Sequence, residues 1–152
     1  MREPIVSRIL RYTLYAGFAA GAIITATLPF LLDKYFVILY DAYYLKSGYR
    51  TFILVFLMFV GLAGLWVILE LIWMLRSIPL GPFIIRNVWA LKRVGVIFFV
   101  LAVVFFGKCV LYVTILTMVG GALFLLGGLF SFTLASLFRQ AVAFREENDL
   151  TI

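Results

Sequence analysis

The sequence predicts an all-α integral membrane protein, a bundle of four transmembrane helices. Of its 152 residues, 66% are hydrophobic and 13% are charged, whereas a soluble domain is about half apolar and about a quarter charged. The apolar residues form four long runs, each close to the ~20 residues that a helix needs to cross about 30 Å of hydrocarbon. Basic residues flank these runs, which is typical of membrane topology.

The four runs predict membrane spans at about residues 12–32, 51–75, 94–111 and 118–138, within a single membrane domain of residues 1–152. Residues 33–50 are rich in tyrosine, whose ring settles at the headgroup level, and they fit either a short interfacial helix or an extended segment. Residues 112–117 predict a tight turn between the third and fourth spans. Residues 139–152 predict a tail outside the membrane.

The orientation follows from the lysines and arginines, which concentrate on the cytoplasmic side of membrane proteins. The predicted spans place nine of the thirteen on one side, namely Arg2, Arg8, Arg11, Arg76, Arg86, Lys92, Arg93, Arg139 and Arg145. The other side has Lys34, Lys46, Arg50 and Lys108. Both termini and residues 76–93 are therefore expected in the cytoplasm.

Residues 76–93, the central polar segment, lie between the second and third spans. Pro82 suits the first turn of a helix, where its missing N–H would be unpaired anyway. A helix from there has an apolar face (Ile84, Val88, Leu91), a basic face (Arg86, Arg93) and Trp89 at the border. The third span is thus expected to start as a cytoplasmic amphipathic extension, either a headgroup anchor or a docking surface for a cytosolic partner.

Glu70 is the only acidic residue inside an apolar run. A charge at mid-bilayer costs about 2.5–3.5 kcal/mol on insertion scales, and such residues often mark functional sites. Glu70 is expected either to pair with a basic residue of the central polar segment or snorkel, or to couple to an ion or ligand. Lys108, near the outer end of the third span, is expected to snorkel toward the headgroups, too far from Glu70 for a direct pair.

Small residues recur at helical spacing in two spans: Gly17, Gly21 and Thr25 in the first, and Gly127, Ser131 and Ala135 in the fourth. Such faces let helices approach closely. They predict packing within the bundle, with a homodimer seam as the alternative.

Several classes of chemistry have no residues to support them. The chain has no histidine and one cysteine, and it shows no glycine-rich phosphate loop, carboxylate pair or nucleophile–base arrangement. We therefore expect no enzymatic activity, metal or cofactor. The net charge of +6 accompanies apolar runs, so it indicates contact with the lipid bilayer instead of direct binding to nucleic acid.

Two stretches resemble a known family. Pro82-Phe83, Asn87-Val88 and Leu91-Lys92-Arg93-Val94-Gly95 are similar to its PF–x3–N–V–x2–L–K/R–R–I–G segment, and Arg145–Ile152, after Leu137-Phe138-Arg139, resembles its closing REEN-D/E-LT-V/I signature. This is the bacterial membrane family called domain of unknown function 2975. Ala141 departs from the pattern, since glycine is common there.

The resemblance implies a multi-pass protein of the bacterial cytoplasmic (inner) membrane. Family members are often encoded beside a small helix-turn-helix DNA-binding protein, which implies a membrane partner for a cytosolic regulator. We therefore expect a non-enzymatic regulatory protein that binds or sequesters such a regulator in response to a membrane or extracellular signal. The predicted docking residues are Arg86, Asn87, Lys92, Arg93, Arg145, Glu146, Glu147, Asn148, Asp149, Leu150 and Thr151.

Two alternatives belong to other classes of function. One is a small transporter, channel or antimicrobial-peptide protection protein that uses Glu70, which predicts a polar cavity leading to this residue. The other is an accessory membrane subunit whose small-residue faces serve assembly with a partner.

Overall fold

The computed structural model describes residues 5–39, 47–77 and 84–150. The described part is built from four helices, α1 Ile5–Leu39, α2 Ser47–Arg76, α3 Ile85–Leu111 and α4 Ile115–Leu150. Each contains a segment long and apolar enough to cross a membrane: Ser7–Leu32, Gly48–Arg76, Ile85–Leu111 and Ile115–Asn148. The expectation of an all-α, multi-pass membrane protein with four spanning helices is confirmed at this level.

The helices run beyond the predicted spans. α1 begins at Ile5, contains Pro29 and continues to Leu39, so residues 33–39 of the segment left open by the sequence are helical. Residues 40–46 of that segment lie outside the described residues. α4 has 36 residues and ends at Leu150, so most of the predicted tail continues the fourth helix.

A short turn joins α3 and α4. The N–H of Tyr112 donates to the carbonyl of Lys108 at 2.8 Å and ends α3, whereas the carbonyl of Thr114 accepts the N–H groups of Thr117 and Met118 at 3.0 and 3.1 Å. Three residues, 112–114, separate the two helices. α3 and α4 are therefore antiparallel neighbours, as the predicted tight turn requires.

Phenylalanine rings of α3 lie in glycine notches of α4. A Cβ placed at Gly120 would lie 2.7 Å from the Phe105 ring, and one at Gly127 would lie 2.9 Å from the Phe98 ring. Any larger residue at these two positions would displace a ring. This close approach brings the helix axes together, and further along the hairpin Val88, Leu91 and Ala135 form a buried apolar cluster.

Within the described residues, the four helices of the predicted bundle form an open row. α1 contacts α2, α2 contacts α3 and α3 contacts α4, but within the described residues no Cα atom of α1 comes within 8 Å of α3 or α4, nor any of α2 within 8 Å of α4. Large rings occupy the α2–α3 seam, with Phe56 and Phe105 centroids 5.1 Å apart. Lipid tails are as apolar as the helix surfaces, so no hydrophobic force closes the row.

Candidate functional site

The first component of the site is an ion pair across the α2–α3 seam. Glu70, near the end of α2, is 2% exposed. Arg93 of α3 donates from Nε to Oε1 at 2.5 Å and from Nη2 to Oε2 at 2.8 Å. This two-point geometry is the strongest that arginine makes with a carboxylate. Of the two expectations for Glu70, the structure shows pairing with a basic residue of the central polar segment.

Arg93 is the more accessible partner, with a side chain 49% exposed. Its guanidinium is nevertheless held toward Glu70 through Nε and Nη2, so another partner can reach only its remaining N–H groups while the pair persists. Arg93 was predicted as a docking residue. In the structure, Arg93 contacts Glu70 of α2 and so links the α3–α4 hairpin to the α1–α2 hairpin.

The second component joins the end of α2 to the start of α3. Ser77 Oγ donates to the Oδ1 of Asn87 at 2.7 Å and lies 2.6 Å from the carbonyl oxygen of Met74. Both Ser77 and Asn87 are 2% exposed. The prediction that Asn87 offers its side chain to a partner is therefore wrong for this conformation, because the first turn of α3 directs that amide inward against α2.

The basic face of α3 lies on the other side of that turn. Arg86 and Trp89 are exposed, and Lys92 Nζ lies 4.9 Å from the centroid of the Trp89 ring, a cation–π contact. Val88 and Leu91 are buried on the opposite side. On this turn the exposed Arg86 and Trp89 lie opposite the buried residues, and the amphipathic cytoplasmic extension stays a prediction.

The third component is the end of α4. Ser131 Oγ donates to the carbonyl of Leu91 at 2.8 Å, which fixes the level at which the two helices meet. About 28 Å of α4 follows Ser131, whereas about 9 Å of α3 precedes Leu91, at 1.5 Å per residue. α4 therefore projects about 20 Å past the first residue of α3.

The projecting end carries charges of both signs. Its exposed residues are Arg145, Glu146, Glu147 and Asn148. Asp149 and Leu150 lie on the same helix, but their side chains, together with Thr151, lie outside what the structure describes. The exposed residues are placed where a cytosolic protein could reach them if this end faces the cytoplasm.

Lys108 lies at the opposite end of the hairpin and points inward. Its Nζ donates to Thr117 Oγ1 at 2.8 Å and lies 5.3 Å from the Phe56 ring centroid. The residue is 9% exposed, so the side chain does not snorkel as expected: the hydroxyl supplies an acceptor and the ring a π face for its ammonium group. About 22 Å of α3 separates it from Arg93, which keeps it away from Glu70.

Most of the small residues face neighbouring helices of the same chain. Gly127 and Ser131 contact α3, as described. A Cβ at Gly21 would lie 3.2 Å from Leu65, whereas a Cβ at Gly17 would meet no heavy atom within 4 Å among the described residues. The Gly127/Ser131 face is therefore occupied within the chain.

A groove of about 750 Å³ opens between α2 and α3, at the level of the ion pair. Its walls are apolar, with Phe59, Trp66 and Val100 among them, and Lys92 and Arg93 lie at one end. Glu70 does not line it. The groove therefore differs from the polar cavity that a transport role for Glu70 predicts.

Comparison with known protein families places these features in a wider group. The model of a protein family described as "Protein of unknown function (DUF2975)" matches residues 29–152. The chain belongs to the DUF2975 family. The match includes both the Glu70–Arg93 and Ser77–Asn87 contacts and the whole of α4. The resemblance based on the two motifs is thus confirmed, and the Asn of the DUF2975 motif acquires a structural role in this chain. No curated protein and no solved structure matches the chain.

Asn87 was predicted to lie on the surface, although its helical spacing from apolar residues indicated burial. Asn87, Leu91 and Val94 lie at i, i+4 and i+7, the positions that share one face of a helix, and all three are buried. No such signal marked Ser77, which donates to Asn87, or Thr117, which accepts from Lys108. Their roles depend on how neighbouring helices align.

Proposed function

We propose that the chain is a non-enzymatic regulatory membrane protein that binds a small cytosolic helix-turn-helix protein in response to a membrane or extracellular signal. The observation that supports this most directly is the continuation of α4 to Leu150. This extension carries charged residues about 20 Å beyond the start of α3. A surface of that kind provides exposed partners for a charged protein without any catalytic group.

The proposed cytoplasmic docking surface consists of Arg86 and Lys92 on α3 and Arg145, Glu146 and Glu147 on α4. Arg86 and the three α4 residues are exposed, and Lys92 is partly exposed. Surface charges of both signs favour orientation and rapid encounter of a protein partner. Asn87 and Arg93 are left out of this surface, because Arg93 pairs with Glu70 of α2 and the buried Asn87 side chain accepts from Ser77.

The orientation is part of the proposal. Nine basic residues against four support a bacterial inner-membrane protein with both termini and the central polar segment in the cytoplasm. The exposed Arg86 and Trp89, opposite the buried Val88, support an amphipathic cytoplasmic start of α3.

A signal could reach the docking surface through the α2–α3 seam. The Glu70–Arg93 pair and the Ser77–Asn87 hydrogen bond link the α1–α2 hairpin to the first turns of α3. A shift of one hairpin relative to the other would therefore reposition Arg86 and Lys92. A regulatory switch requires an element with two arrangements, and we propose that this seam supplies it.

The test is capture of the small regulator from native membranes by the tagged full-length chain. The double substitution Glu146→Lys with Glu147→Lys, and separately deletion of residues 145–152, should reduce capture strongly because both remove the acidic part of the docking surface. Lys34→Gln is the matched control, since Lys34 is exposed at the other end of α1. Undiminished capture by both altered proteins would refute the surface, as would external labelling of a cysteine placed at position 86.

The transport and accessory-subunit alternatives stay predictions. Glu70 has an ion-pair partner that balances its charge, and the groove beside it is apolar. A normal transport or resistance phenotype in Glu70→Gln would remove the main support for transport.

A further inference from the structure

A second cluster of charges lies between α1 and α2, away from the docking surface. Arg8, Arg11, Tyr12 and Tyr15 of α1 and Arg76 of α2 line a cavity of about 480 Å³. We call these five residues the arginine–tyrosine cluster. The four residues of α1 precede the part of the chain that matches DUF2975, which starts at residue 29.

The cluster is organised by one arginine–tyrosine contact. Arg76 donates to Tyr15 Oη from Nε at 3.0 Å and from Nη2 at 2.5 Å, and its guanidinium carbon lies 5.8 Å from the Tyr15 ring centroid. A guanidinium has five N–H donors, so a further acceptor can bind while this contact persists. Tyr15 thus fixes the position of the Arg76 charge.

The other two arginines are brought to the same place by helical spacing. Arg8 and Arg11 are three residues apart on α1, and Arg8, Tyr12 and Tyr15 follow the i, i+4, i+7 pattern of one helix face. Three guanidinium groups and two phenol hydroxyls therefore converge on one cavity. All of them can donate hydrogen bonds to an anion.

No carboxylate lines this cavity among the described residues. Like charges at short range repel one another, so an anion bound among the three arginines would stabilise the arrangement. The planar fork of arginine fits the oxygens of a phosphate group well.

The position of the cluster indicates where the phosphate comes from. Arg8 and Arg11 lie at the start of the membrane-spanning segment Ser7–Leu32, and Arg76 ends the segment Gly48–Arg76. These helix ends meet at one cavity, and a helix that crosses the bilayer along its apolar segment has its ends at the depth of tyrosine rings and lipid phosphates. We propose that the arginine–tyrosine cluster binds a phosphate group, presented by an anionic phospholipid headgroup, and thereby ties the start of α1 to the end of α2.

The test has a lipid arm and a soluble arm, both with the full-length protein in detergent. In the lipid arm, native mass spectrometry measures retention of added phosphatidic acid against phosphatidylcholine. In the soluble arm, the unfolding temperature is measured with inorganic phosphate against chloride at equal ionic strength. The cluster variant is Arg8→Gln with Arg11→Gln and Arg76→Gln. The control variant is Arg86→Gln with Arg139→Gln and Arg145→Gln, which removes the same charge outside the cluster.

We expect the wild type and the control variant to retain phosphatidic acid, and the cluster variant to bind it about fivefold more weakly for each arginine removed, which corresponds to about 1 kcal/mol per basic residue. Stabilisation by inorganic phosphate that the cluster variant alone lacks, without a difference in lipid retention, would support the phosphate site and assign it to a soluble ligand. Equal losses in both variants would overturn the proposal, because they indicate diffuse attraction. If the cluster variant kept both the lipid retention and the stabilisation by phosphate of the wild type, the proposal would be overturned as well.

Circular dichroism reports whether the cluster variant folds. If it does not, the variant with lysine at all three positions keeps the charge but lacks the planar fork. It should retain less phosphatidic acid than the wild type. Retention equal to the wild type would then overturn a specific phosphate site.

Discussion

The two helical hairpins are packed in different ways. In the α3–α4 hairpin, glycines receive phenylalanine rings, a serine donates to a carbonyl of the neighbouring helix, and three residues make the turn. In the α1–α2 hairpin, a Cβ at Gly61 would lie 2.6 Å from Thr25 Oγ1 and one at Gly21 would lie 3.2 Å from Leu65, and the Arg76–Tyr15 contact lies at one end. α3 and α4 approach each other closely over a longer stretch than α1 and α2 do, so the α3–α4 hairpin is the more extensively packed of the two.

Substitution at the seam between the hairpins should give the largest change in the free energy of unfolding. Arg93→Met leaves the buried carboxylate of Glu70 without its partner, so we expect a loss of about 3 kcal/mol in the free energy of unfolding, the low end of the range for breaking a buried pair because Arg93 is half-exposed. Unfolding of the full chain in detergent measures it. The double variant Glu70→Leu with Arg93→Leu should recover most of the loss, since it removes both charges. A double variant as unstable as Arg93→Met would contradict this role for the pair.

The glycine notches should give the next largest effect. Gly120→Val forces its side chain into the Phe105 ring, and overpacking of this kind costs about 1–3 kcal/mol. Gly107→Val on α3 is the control, because a Cβ there meets no described atom within 4 Å, and we expect a change within about 0.5 kcal/mol. Gly21→Val in the other hairpin meets the end of the flexible Leu65 side chain, so its effect should fall between the two. Equal effects at all three positions would mean that the distance to the neighbouring atom does not set the cost of the added side chain.

The interhelical hydrogen bond should give the smallest effect. Ser131→Ala removes the donor to the Leu91 carbonyl, and such bonds between membrane helices contribute about 0.6 kcal/mol on average. Thr133→Val is the matched control, because its hydroxyl bonds the Leu129 carbonyl of its own helix. Unfolding measurements should separate the two variants. A loss in Thr133→Val as large as that in Ser131→Ala would show that the contact with α3 adds nothing.

The class, the four spanning helices and the family could be predicted from the sequence, because bilayer thickness imposes a length on each apolar run. Pairing of Glu70 with the central polar segment was one of two predicted outcomes, although the partner, Arg93, was assigned to docking.

The remaining features depend on how separate helices meet. Lys108 turns inward because Thr117 and Phe56 happen to lie beside it, and Asn87 is buried because Ser77 faces it across the end of α2. The open row could not be predicted from small-residue faces alone, since those faces specify pairs of neighbours and say nothing of closure. The arginine–tyrosine cluster was visible in the sequence as charges that set orientation, without their convergence on one cavity.

The length of α4 has a mechanical consequence. Its 36 residues make a rod of about 54 Å, whereas the hydrocarbon layer is about 30 Å thick. When a rigid helix tilts in the bilayer, the sideways displacement of its end increases with the length that projects from the hydrocarbon layer. A tilt of about 10°, well within the range seen for membrane helices, would sweep the tip sideways by about 4 Å over the roughly 24 Å that remains. Thickening or thinning of the surrounding lipid would therefore be converted into motion of the charged tip, with no ligand required.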